Sequence, residues 1–131
     1  MIHVLIVDDG EAGCKRLGML LEFNGYRVST AGDGAQALAA ARSDRPDVVV
    51  SDVLMPNMDG FELCHAWMED AELRTIPFIF YTAYLTSQED ERVSLLLGAA
   101  RYLIKPMPAE DFLQELRTVL LQWAGCSGSR T

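Results

Sequence analysis

The stretch from Val48 to Gly60, "VVVSDVLMPNMDG", decides the fold. Three consecutive valines describe a strand buried on both faces, as in a parallel sheet covered by helices on either side. The strand ends on an acid, Asp52, and a turn follows through Pro56, Asp59 and Gly60. A bare carboxylate at the lip of an apolar sheet is costly unless something compensates it. That compensation has to come from elsewhere in the chain.

Outward from this stretch, apolar runs alternate with segments of helical period. "IHVLIVD" (2–8), "YRVSTA" (26–31), "DVVVSD" (47–52), "IPFIFYT" (76–82) and "RYLIKP" (101–106) read as strands: short, β-branched or aromatic, and punctuated by Asp, Pro or Gly. Helices are predicted near 11–24, 34–43, 60–70, 88–98 and 108–123. In the last of these Phe112, Leu116, Val119, Leu120 and Trp123 share one stripe. Pro108 suits its first turn, and Gly125 is its expected stop. The first helix carries Gly13 and Gly18, each costing about 1 kcal/mol relative to alanine, so packing of Leu17, Leu20 and Leu21 must support it. Five βα units in strict alternation imply an α/β, flavodoxin-like, doubly wound parallel sheet of five strands in the order 2-1-3-4-5. The expected domain is 1–123, with 124–131 as a flexible tail or linker stub.

Composition narrows the function. The 131 residues suit one domain, and a net charge of −8 argues against direct binding of nucleic acid or an anionic membrane. No apolar run is long enough to span a bilayer, and "MIHVLIVDDG" lacks the features of a signal peptide. Cys14, Cys64 and Cys126 are odd in number without metal-ligand spacing, and read as reduced thiols in a cytoplasmic protein. Cys14 and Cys64 are expected as small packing groups, and His65 on an exposed helix face.

In such a sheet, ligands bind beyond the carboxyl ends of the strands, where the winding reverses. Asp8 and Asp9 end strand one, Asp52 strand three, Thr82 strand four and Lys105 strand five. Three carboxylates meeting on that rim call for a cation, and oxygen-only ligands favour Mg²⁺. With a lysine and a hydroxyl beside them, they form a site for receiving a phosphoryl group on a carboxylate. Read singly, each residue has a plainer role as helix cap, turn residue or solvated strand end. Jointly, those plain roles require four coincidences on one rim.

"VDD" (7–9), "SDVLMPNMDG" (51–60), "YTA" (81–83) and "GAARYLIKP" (98–106) resemble the receiver domain of two-component response regulators, which has a CheY-like fold, over nearly the whole chain. The resemblance implies that Asp52 accepts a phosphoryl group from a phosphohistidine of a sensor histidine kinase or phosphotransfer protein. It implies Mg²⁺ held by Asp9, Asp52 and the Leu54 carbonyl, with Asp8 acting through water. Thr82 and Lys105 would grip the phosphoryl oxygens, and Ala83 would leave the entrance open. Tyr102 matches the family's switch aromatic, turning inward as Thr82 moves, and Lys105–Pro106 matches a bond usually cis in the family. The output would be a changed protein-interaction face, read by a downstream effector or a fused domain. By the same resemblance the domain would catalyse only its own phosphorylation and dephosphorylation, alone or as part of a larger hybrid histidine kinase.

Two departures stand out. Gly10 follows the acidic pair where the family usually has a polar or acidic residue, and its freedom would loosen the loop carrying Asp9. Leu54 and Tyr84, two residues beyond the acceptor and the hydroxyl, offer little to orient an attacking water, so a long-lived phosphoryl state is expected. Three alternatives stand beside this reading. A Mg²⁺-dependent aspartyl phosphatase would want its two acids spaced Asp-x-Asp after strand one. A flavin module would want a neutral, hydroxyl-rich loop there. A degenerate receiver would act only as an interaction module.

Overall fold

The computed structural model describes residues 1–83 and 88–123, and the backbone of the last helix on to Arg130. Among these residues the strands are β1 (His3–Val7), β2 (Arg27–Ala31), β3 (Val48–Ser51), β4 (Phe78–Thr82) and β5 (Arg101–Ile104). The α-helices are α1 (Glu11–Phe23), α2 (Gly34–Ser43), α3 (Gly60–Glu69), α4 (Gln88–Leu96) and α5 (Ala109–Arg130). All pairings are parallel and the order is β2-β1-β3-β4-β5, the expected doubly wound sheet.

The valines of β3 behave as their composition demands. Val49 faces a layer with Leu5, Val7, Phe78 and Phe80 under Leu63 and Trp67 of α3. Val48 and Val50 face the opposite layer, with Val4, Ile6 and Ile79 against Leu21 of α1 and Phe112, Leu116 and Val119 of α5. Side chains alternate across a strand, so a strand between two helical layers must be apolar at every position. Each fully buried Val or Leu contributes about 1.5–3 kcal/mol relative to exposure. A Cβ at Gly18 would stand 3.6 Å from Val28, an ordinary van der Waals contact, so the α1–β2 packing does not itself require glycine there.

Local signals place the helix ends. Asp59 and Glu62 form a reciprocal capping box at the start of α3, the Asp59 side chain accepting from the Glu62 amide at 2.8 Å. The N-cap of α1 is Gly10, with no side-chain cap. Two readings need correction. α5 continues past Gly125, the expected stop. Between the third helix and strand four, where the sequence reading put no element, a short 3₁₀ turn lies at Leu73–Thr75.

The register levels the strand ends. Val7 pairs with Ala31 on one side and Ser51 on the other, and Thr82 pairs with Ile104. The next residue along three of these strands is Asp8, Asp52 or Lys105. Each is held by one more main-chain bond: Asp8 N–H to Ala31 O (3.0 Å), Asp52 N–H to Val7 O (2.9 Å) and Lys105 N–H to Thr82 O (2.8 Å). The sheet thereby fixes the backbone of the site residues at its carboxyl rim.

Candidate functional site

Lys105 gathers the rim. Its Nζ lies 2.9 Å from Asp8 Oδ2 and 3.7 Å from Asp52 Oδ2, joining groups 97 residues apart in the first of these pairs. It also stands 5.4 Å from the centroid of the Tyr81 ring, a cation–π arrangement. The side chains of Asp8 and Asp52 are only 11% and 17% exposed. Burial pulls the Lys105 ammonium down, but the Asp8 hydrogen bond with the Asp8 and Asp52 charges outweighs it and holds the pKa above the ordinary lysine value.

Backbone donors complete the ordering of the two acids. Asp52 Oδ1 accepts from the Val53 amide at 2.7 Å, and Asp8 Oδ1 from the Gly10 amide at 2.8 Å. The Cys14 thiol donates to the Asp8 carbonyl at 3.3 Å, and its pKa is raised, first by burial and then by the Asp8 charge. Cys14 is therefore kept as a neutral thiol. Gly10 has a φ of −82°, a region open to any residue, so its backbone here does not require glycine.

The other expected residues take these places. Thr82 is fully buried at the end of β4, and Ala83 is exposed beside it. Leu54 is 55% exposed at the start of the β3–α3 loop. Tyr102, the expected switch aromatic, is buried, its ring 5.8 Å from that of Phe80. Lys105–Pro106 is cis, as expected. Asp9 is exposed, and Tyr84 lies outside the described residues. His65 is exposed and pairs with Glu69 at 3.4 Å, while Cys64 is fully buried, both as read from sequence.

The expected meeting of three carboxylates is only partly formed. Among the described residues no three acidic, histidine or cysteine side chains close into a metal cluster. Asp8 and Asp52 converge on the Lys105 ammonium instead, and Asp9 stands out toward solvent. The donor chemistry nevertheless fits a hard cation. The groups at the rim are carboxylate and main-chain oxygens, the nearby thiol is held neutral, and acids outnumber the single ammonium.

Sequence reading missed the double pairing of Lys105, because pattern assigns a residue to a rim but not to a partner. It also missed how tightly Gly60 approaches the main chain of Asp52. A Cβ at that position would run into the Asp52 carbonyl and lie 2.9 Å from Val53 Cα.

The family profile of the response regulator receiver domain matches residues 4–117. This chain belongs to the receiver domain family. The receiver is 38% identical over 119 residues to the probable transcriptional regulatory protein TcrX of Mycobacterium tuberculosis, covering 91% of this chain and 50% of that protein. It is 37% identical over 121 residues to Protein PilH of Pseudomonas aeruginosa, covering 92% of this chain and 98% of that one. The solved chemotaxis protein CheY4 of Vibrio cholerae has a TM-score of 0.85 at 38% identity, covering 91% of this receiver and 98% of that chain. The receiver thus spans about half the length of relatives such as TcrX and Response regulator MprA. Receiver domains are phospho-acceptor signalling modules that interact with histidine kinases or phosphotransfer partners, and they typically bind Mg²⁺. Among the described residues no helix is long and apolar enough to cross a membrane.

Proposed function

We propose that Asp52 is the phosphoryl acceptor of this receiver. The observation that carries the reading is Lys105 Nζ reaching Asp52 and Asp8 together from the end of β5. A carboxylate oxygen of Asp52 attacks the phosphorus of a phosphohistidine in a sensor kinase or phosphotransfer protein. A P–O bond forms, the P–N bond breaks, and the imidazole leaves with the electron pair. Asp9, Asp52 and the Leu54 carbonyl would hold Mg²⁺, with Asp8 acting through water. The metal, when bound, would neutralise charge on the phosphoryl oxygens. Lys105 exchanges part of its pairing with the acids for those oxygens, and the Thr82 hydroxyl donates to them. Exposed Ala83 leaves the entrance open.

Phosphorylation would bias the positions of Thr82 and inward Tyr102, and so the face built by α4, β5 and α5. Val93, Leu95 and Leu96 of α4 and Ile104 of β5 are exposed on these elements, which supports a partner-binding role. An output through a downstream effector or fused domain belongs to this reading, as does a cytoplasmic setting.

The test is incubation with acetyl phosphate and Mg²⁺, followed by intact mass. Wild-type protein is expected to gain one phosphoryl group, Asp52→Asn none, and Lys105→Ala to label about 100-fold more slowly. Labelling of Asp52→Asn at the wild-type rate would end the proposal. Leu54 and Tyr84 together give an expected long-lived acyl phosphate, and loss of the label within seconds would count against that part alone.

A further inference from the structure

Asn57 is exposed at the tip of the β3–α3 loop, with a φ of +68°. The Met58 amide donates to the Pro56 carbonyl at 2.7 Å and closes a γ-turn around it. A left-handed backbone at a non-glycine residue persists where its surroundings hold it. Here Asn57 Nδ2 donates to Asp33 Oδ2 at 3.2 Å, while Asp33 Oδ1 caps α2 by accepting from the Gln36 amide at 2.8 Å. The neighbouring Met58 lies over Gly34, the first residue of α2, where a Cβ would come within 2.6 Å of the sulfur. At the loop's base the Gly60 amide donates to the Val53 carbonyl at 2.7 Å. The segment containing Leu54 is therefore anchored to β3 at one end and to α2 at the other.

We infer that Asn57 and Asp33 form a latch that positions the β3–α3 loop, holding the Leu54 carbonyl beside Asp52 for the metal. Neither residue touches the reacting groups; both act through the loop. The inference rests on the reading of Leu54 as a metal ligand given above. Asp33 suits the task because it is buried and already fixed by its capping bond, so it offers an oxygen with little freedom to follow a moving loop. Ligands held by such outer contacts lose metal affinity when the contact is removed.

The test follows the main-chain amides of the unphosphorylated protein by ¹⁵N NMR as Mg²⁺ is added, with no phosphoryl donor present. Asn57→Gly keeps the left-handed turn at no steric cost and deletes only the side-chain link. Asn57→Asp sets two carboxylates against each other. Each is expected to weaken Mg²⁺ binding by about tenfold. The double variant Asp33→Asn with Asn57→Asp reverses donor and acceptor, keeps the charge, and retains a good helix cap. It is expected to return Mg²⁺ affinity to within about twofold of wild type. Unchanged affinity in both single variants, or a double variant no better than Asn57→Asp, would overturn the latch. Wild-type protein with no Mg²⁺-dependent shift at Asp52, Val53 or Leu54 would instead bring down the metal reading itself, before any variant is made.

Discussion

Cys64 shows how burial alone sets a group's chemistry. It is fully buried among Leu63, Trp67 and Phe78, and removal from water pushes its thiol up to about 12 from an ordinary 9.0. The folded state therefore favours the proton-bearing form more than the unfolded chain does. The resulting stability is complete below about pH 9 and is lost as pH rises toward 12. Urea titrations across that window are expected to show a fall in wild-type stability that is shallower in Cys64→Ala; equal slopes would refute the assignment. Alkylation mapped by mass spectrometry is expected to leave Cys64 unmodified at neutral pH until urea unfolds the chain. The sequence already marked Cys64 as a packing residue, since small thiols on an apolar helix face are usually core. It marked Asp8, Asp52 and Lys105 equally well, because each directly follows a strand whose end the hydrophobic run defines. It placed Asp9 in the same cluster; in this conformation Asp9 is exposed while Asp8 pairs with Lys105. Adjacent residues at a strand end point in different directions, and pattern alone does not say which of them meets the lysine.

At the scale of elements, the junction from β3 to α3 is the least forgiving. Gly60 is buried against the main chain of Asp52 and Val53, and an added methyl group would meet backbone that cannot rotate away. Gly60→Ala is expected to destabilise the fold by about 3 kcal/mol, at the upper end of overpacking costs. It should also slow phosphoryl labelling, because relief of the clash must shift the strand end that carries Asp52, the proposed acceptor. An unchanged urea midpoint would show that the junction is more pliant than its geometry implies. The motif "MDG" announced a turn and a helix cap, and both are present. It did not announce the close approach, because a buried Gly at a helix start looks in sequence like any turn glycine. The end of α5 was hidden for a related reason: Gly125 is a common helix terminator by propensity, and propensity is a weak constraint on a helix already anchored by Leu116 and Val119.

Across the whole molecule, two apolar layers share one sheet, and neither layer contains the site. Trp67 lies in the layer beneath α2 and α3, and Trp123 packs on the layer beneath α1 and α5. Every sheet strand between β1 and β4 sends alternate side chains into both, so losing one layer strips the other of its floor. A domain of this size and connectivity is expected to unfold in one step. Variants retaining a single tryptophan, Trp67→Phe and Trp123→Phe, can each be unfolded in urea and followed by fluorescence. Each variant's midpoint should coincide with its own circular dichroism midpoint, although the two tryptophans report from opposite faces. A fluorescence midpoint that departs from circular dichroism in either variant would mean that one face loosens first. Mg²⁺ at the carboxyl rim, as proposed above, would add to a fold that both layers already hold. Chelation by EDTA is accordingly expected to abolish phosphoryl labelling while leaving the circular dichroism spectrum and the cooperative transition in place. Loss of the transition on chelation would show that the rim carboxylates are tolerable only with the metal, and that Lys105 does not compensate them. Retention would assign that compensation to the lysine, 97 residues along the chain from Asp8.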